Sequence, residues 1–263
     1  MTGLAMVTGA SSGIGEAYAE RLAADGHDLI VVARRKERLS DLAARLEATH
    51  GVKVRVVQAD LGRPDDIQRL CDEIDALELD LLVNNAGLAH YMPFAELPPA
   101  QAQELLHVNV LAPVLLTRAA VTGMLARGRG SIVNVASLLA FSGPLDAPHL
   151  PQRAVYAGTK SFLVTFSEVL AREVAGGGVQ VQVVCPGVVR TEFHSRQGMD
   201  LSSVPRMEPQ RIVEASLADL ANGVVVSIPG LADLEAYARL EAADRELLAV
   251  TRETELPERY RRT

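Results

Sequence analysis

Leu4-Ala5-Met6-Val7-Thr8-Gly9-Ala10-Ser11-Ser12-Gly13-Ile14-Gly15 decides the fold. A short apolar run without polar alternation enters three glycines spaced G-x-x-x-G-x-G, and an amphipathic stretch follows at once. Such a run predicts a strand covered on both faces, as in a parallel sheet with helices above and below. Glycines are demanded where a backbone turns tightly and approaches a pyrophosphate seated on a helix N-terminus. Gly9, Gly13 and Gly15, with Ser11, Ser12 and Ile14 among them, are read as the phosphate turn of a dinucleotide site.

The same rhythm continues outward. Further runs rich in Val, Ile and Leu at 29–33, 52–58, 79–84, 131–136, 179–184 and 223–228 bring the expected strands to seven. Helical patterns at 13–25, 37–49, 64–77, 101–127, 152–175 and 209–221 lie between them. Strand-helix alternation implies right-handed crossovers and a parallel sheet. The expected fold is α/β: a single doubly wound Rossmann-type domain, with a seven-stranded parallel sheet flanked by helices and a C-terminal helical extension. The catalytic domain is expected over 1–250, with 251–263 a charged tail. Residues 142–153 read as a loop, 191–207 as a flap and 234–248 as a last helix.

Composition narrows the function. The 263-residue chain carries a net charge of −7, which argues against phosphate-backbone binding, so no nucleic acid is expected as a partner. Two cysteines, Cys71 and Cys185, give neither a disulfide framework nor a metal spacing, and no metal is expected. The N-terminus lacks the basic and apolar regions of a signal peptide, and no apolar run approaches a bilayer span. These readings predict a cytoplasmic protein with no membrane association.

Two constellations carry chemistry. The chain has only three lysines and five tyrosines, yet Lys160 follows Tyr156 by four residues. Chance gives some such pair roughly one time in twenty. One helical turn sets both side chains on one face, where an ammonium would favour the phenolate and ease proton exchange. The second strand ends at Ala33 and is followed by Arg34-Arg35. An acidic residue at this place would accept from a ribose hydroxyl, whereas a guanidinium suits a 2′-phosphate. NADP is therefore favoured over NAD.

With these motifs in place the chain resembles the classical short-chain dehydrogenase/reductase family over nearly its whole length. The glycine turn, Asp60, Asn84-Asn85-Ala86-Gly87, Asn109, Ser137, Tyr156-x-x-x-Lys160 and Pro186-Gly187 occur in the family's order. The resemblance implies a catalytic tetrad of Asn109, Ser137, Tyr156 and Lys160. Tyr156 would protonate a carbonyl oxygen or accept the alcohol proton, Lys160 would also hold the nicotinamide ribose, and Ser137 would donate to the substrate oxygen. Asn109 would hold a relay water through its main-chain carbonyl, left free because Pro113 has no N–H. Asp60 and Leu61 would contact adenine, Asn85, Ala86 and Gly87 would line the adenosine ribose, and Val189 and Thr191, after Pro186 and Gly187, would hold the carboxamide.

The implied activity is NADP(H)-dependent interconversion of a carbonyl and an alcohol on a small-molecule substrate. The alternative is a non-catalytic NADP(H)-sensing regulatory or scaffold protein on the same fold, since fold alone does not fix function. The family's serine usually lies nearer the tyrosine than Ser137 does, and Ser142 fits that spacing better. Ser137 is nevertheless preferred because it closes the fifth strand, where ligands bind in such sheets. The residues after Ser137 then form an insertion beside the substrate pocket, which loops tolerate cheaply. The C-terminus, Val226-Ser227-Ile228-Pro229-Gly230, departs from the family's glycine-rich ending. Homodimer and homotetramer both stay open. Leu138, Phe141, Leu145, Leu150 and Phe193 point to a hydrophobic substrate; His90 and Tyr91 read equally as substrate contacts or loop polarity, and His149 and His194 as solvated loop residues.

Overall fold

The computed structural model describes residues 3–146, 150–250, 254–255 and 257–260. Its sheet holds β1 (Leu4–Thr8), β2 (Asp28–Ala33), β3 (Val54–Gln58), β4 (Leu79–Asn84), β5 (Gly130–Val135), β6 (Val179–Val184) and β7 (Val226–Ser227). The strands lie in the order β3-β2-β1-β4-β5-β6-β7 and every pairing is parallel. The helices are α1 (Gly13–Ala24), α2 (Lys36–His50), α3 (Pro64–Asp75), α4 (Pro99–Leu106), α5 (Ala112–Arg127), α6 (Ala154–Val174), α7 (Pro209–Ala221) and α8 (Glu235–Ala249). The chain divides into two compact units at Pro229 and Gly230; the sheet belongs to the first and α8 to the second.

Two-sided burial explains the uniform apolar strands. Ala5 and Val7 of β1 pack on one face with Leu22, Leu39 and Ile212. Met6 packs on the other face with Leu70, Leu82 and Leu116. A buried polar seam crosses the second face: Asn84 Nδ2 donates to Asn134 Oδ1 at 2.9 Å and to Thr117 Oγ1 at 3.0 Å, and Asn134 Nδ2 donates to Ser167 Oγ at 2.9 Å. It fixes β4 and β5 against α5 and α6, the helix that carries Tyr156.

Several boundaries differ from expectation. The strand expected over 223–228 shortens to Val226–Ser227, because Gly223 turns the backbone left-handed (φ 72°) after α7 and Pro229 cannot extend the ladder. The helix expected over 101–127 is three pieces: α4, a π-helical turn His107–Leu111, and α5. Pro113 has no N–H to donate back into this continuous helical stretch, and just before it Ala112 N donates to His107 O, five residues back. The combined stretch Pro99–Arg127 is, by length and composition, apolar enough to cross a membrane, contrary to the sequence expectation. Core packing accounts for that character, since Leu105, Val108, Ala112, Leu116, Ala120 and Met124 are buried in this fold.

Candidate active site

The strand order reverses between β1 and β4, so the loops leaving these strands part and open a crevice at the carboxyl edge of the sheet. A cavity of about 990 Å³ lies there, lined from the ends of six successive strands.

The glycine turn forms one end. Gly13 has φ +61°, and a Cβ there would sit 2.8 Å from Thr191 Cγ2, so only glycine lets the flap close on the turn. Gly15 lies behind the lining, where a Cβ would collide with Asn85 Nδ2 and Gly9 O; its part is close packing of α1. Ser12 occupies the N-cap of α1 but makes no side-chain capping bond. The first-turn N–H groups thus keep the donor capacity that a pyrophosphate takes up, and the site fits a dinucleotide. Gly9, Ser11, Ser12, Gly13 and Ile14 all line the cavity.

Arg34 and Arg35 at the end of β2 also line it, but they are placed differently. Arg34 is mostly exposed, with Nη1 3.6 Å from Glu104 Oε1. Arg35 folds onto the glycine turn, its Nη2 2.8 Å from both Ser11 Oγ and Ser12 Oγ. Asp60 and Leu61 follow β3 and line the same end; Asp60 Oδ1 accepts from Gly62 N at 3.0 Å. Beyond β4, the backbone N–H groups of Asn85 and Ala86 both donate to Thr8 Oγ1 at 3.0 Å, which ties this wall to β1.

At the other end Ser137, Tyr156 and Lys160 converge. Tyr156 is buried in α6, and its hydroxyl is hydrogen-bonded to Ser137 and Tyr91. The Tyr91 ring meets it edge-on at 5.4 Å between centroids. Lys160, one turn on, has Nζ 5.7 Å from the Tyr156 ring centroid, but that ammonium donates to Val135 O at 2.9 Å. Gly87 lies between Lys160 and Asn109: a Cβ on it would be 3.4 Å from Lys160 Nζ and 3.5 Å from Asn109 Oδ1. Asn109 itself is fully buried outside the lining, its side chain bonded to Leu88 N, Leu88 O and Thr159 Oγ1.

Electrostatics corrects one expectation. Burial pushes the Tyr156 phenol above its ordinary range, and Tyr91 pushes in the same direction; the hydrogen bond with Ser137 only partly offsets them. Burial lowers Lys160 from 10.5 to about 8, with the Cys185 thiol opposing weakly. It is the Ser137 hydrogen bond, not Lys160, that offsets burial at Tyr156, while the Lys160 ammonium donates to a strand carbonyl. In this state the phenol holds its proton.

Of the two serines, only Ser137 faces Tyr156. Ser142 is buried elsewhere, donating to Leu139 O at 2.7 Å and accepting from Arg153 Nε at 2.9 Å. Pro186, Gly187, Val189 and Thr191 lead from β6 along the lining into the flap, which holds one 3-10 turn, Ser195–Gln197. Leu138, Leu150 and Phe193 line the mouth, joined by Leu139, Met199 and Leu201. Phe141 and Leu145, expected there, do not line it, and Leu145 is exposed.

His194 lines the cavity, whereas His90 instead meets Glu104 at 3.2 Å; His149 lies outside the described residues. No metal-holding cluster of His, Cys, Asp and Glu occurs among the described residues. Sequence reasoning missed Glu192, whose carboxylate meets three arginines beside the glycine turn. Only its position next to Thr191 hinted at it.

The family model "short chain dehydrogenase" matches residues 3–201. The chain is 35% identical over 222 residues to a very-long-chain 3-oxoacyl-CoA reductase of Phaeosphaeria nodorum; the match takes in 82% of this chain but 62% of that longer protein. A short-chain dehydrogenase from Sphingobium yanoikuyae, solved in complex with NADPH, superposes with TM-score 0.93 at 35% identity, covering 99% of this chain and 100% of that one. The bulky-bulky ketone specific alcohol dehydrogenase from Comamonas testosteroni gives TM-score 0.87 at 33% identity, covering 98% of each chain.

Proposed function

Because this chain belongs to the short-chain dehydrogenase family, we propose that it reduces a bulky hydrophobic ketone to the secondary alcohol with NADPH, and runs the reverse with NADP⁺. The observation that carries the reading is the convergence of Ser137, Tyr156 and Lys160 at one end of a cavity whose other end is the glycine turn. The bound nicotinamide supplies or accepts the hydride.

The chain's own residues do the rest. Tyr156 gives its proton to the carbonyl oxygen as the alcohol forms, and its raised pKa keeps that proton in place before reaction. Ser137 donates to the same oxygen and stabilises the charge that develops there. Lys160 holds the ribose, and Asn109 fixes the Leu88 backbone beside it. Arg34 and Arg35 provide the cationic setting for a 2′-phosphate.

The substrate class rests on the apolar mouth formed by Leu138, Leu139, Leu150, Phe193, Met199 and Leu201, and on the likeness to the Comamonas enzyme over nearly the full chain. A ketone panel graded by the size of both substituents, followed by cofactor absorbance with NADPH and with NADH, tests it. Turnover that rises with substituent bulk and prefers NADPH is the expected result. NADPH binding without turnover of any ketone, aldehyde or secondary alcohol would remove the catalytic reading and favour a sensing role.

A further inference from the structure

We propose that Glu192 selects between cofactors: its carboxylate occupies the same guanidinium groups that a 2′-phosphate would take, and so sets how strongly NADP(H) is preferred over NAD(H). The inference rests on the assignment of Arg35 to the phosphate made above.

Glu192 Oε1 accepts from Arg35 Nη1 at 3.0 Å and Arg38 Nη1 at 2.6 Å, and Oε2 from Arg196 Nη2 at 2.9 Å. It is also hydrogen-bonded to the Ser12 side chain. Arg35 in turn reaches Ser11 and Ser12 through Nη2. A carboxylate from the flap thus stands among three arginines and the hydroxyls of the glycine turn, at the end of β2 where the adenosine ribose is expected. The group is firmly anionic: burial would raise its pKa, but hydrogen bonds from Arg35, Arg196 and Ser12 outweigh that and hold it at about 2. The neighbouring Thr191 methyl is packed against Gly13.

Carboxylate and phosphate monoester seek the same planar donors, so one displaces the other from Arg35. A cofactor with the 2′-phosphate must break these bonds, whereas one with a free 2′-hydroxyl leaves them intact. Glu192 therefore tempers NADPH affinity and leaves NADH affinity alone. Because the groups are partly exposed, the effect is modest.

The test is the Kd of NADPH and of NADH, by cofactor fluorescence at matched ionic strength, for the native protein and Glu192→Gln. Glu192→Gln is expected to raise the preference for NADPH by about threefold, all of it through NADPH. A native preference for NADPH that Glu192→Gln leaves unchanged or reduces overturns the inference but keeps the phosphate assignment. If neither the native protein nor Glu192→Gln prefers NADPH, both fall. A preference that appears only in Glu192→Gln supports the competition and corrects the native cofactor preference instead.

Discussion

Lys160 and Tyr156 share one face of α6, with the ammonium nitrogen 5.7 Å from the phenol ring centroid, yet that nitrogen is bonded to the strand carbonyl of Val135. The pair is adjacent without forming an ion pair. Tyr156 thus keeps its proton, and Lys160 is the group whose charge is in the balance near pH 8.

A pH profile follows from this. Burial disfavours the charged form of Lys160, so it loses its proton near pH 8 rather than 10.5. kcat/KM for NADPH, which reports the free enzyme, is expected to be level below about pH 8 and to fall above it. Lys160→Arg should remove the fall over the same range, because a guanidinium keeps its charge. A native profile level to pH 10 would contradict the lowered value.

The arginines at the end of β2 are not equivalent. Arg35 is bound to the glycine turn and Arg34 is turned toward Glu104. Arg35→Ala is expected to weaken NADPH about tenfold or more while changing NADH less than about twofold. Arg34→Ala should have the smaller effect on NADPH. Calorimetric titration of both variants decides; equal losses would return Arg34 to the role the sequence suggested.

The buried seam between sheet and helices makes a stability prediction. Asn134 receives from Asn84 and donates to Ser167, so Asn134→Ala strands polar groups where water cannot reach them. Urea unfolding should show a loss of about 3 kcal/mol, the combined cost of unsatisfied groups and a small cavity. A loss below about 1 kcal/mol would mean that the seam holds little of the fold.

The sheet was legible in the sequence because parallel strands buried on both faces cannot alternate, and Met6 beside Val7 shows the reason. The glycine turn and the Tyr156-Lys160 spacing were legible because local geometry alone constrains them. What stayed hidden depends on residues distant in the chain. The orientation of Lys160 is set by Val135, from a strand 25 residues away. The π-helical turn lies beside Pro113, and its Asn109 is bonded to the Leu88 backbone, 21 residues away. Glu192 meets Arg35 across 157 residues and from an irregular flap, where no periodicity marks a side chain's direction.

Removing the Tyr156 hydroxyl takes away the proposed proton donor and little else. NADPH oxidation should be followed with a bulky ketone that the native enzyme turns over, alongside NADPH affinity, for the native protein and Tyr156→Phe. kcat should fall by about 10²-fold or more while NADPH binds as before. Turnover by Tyr156→Phe at the native rate would contradict that role.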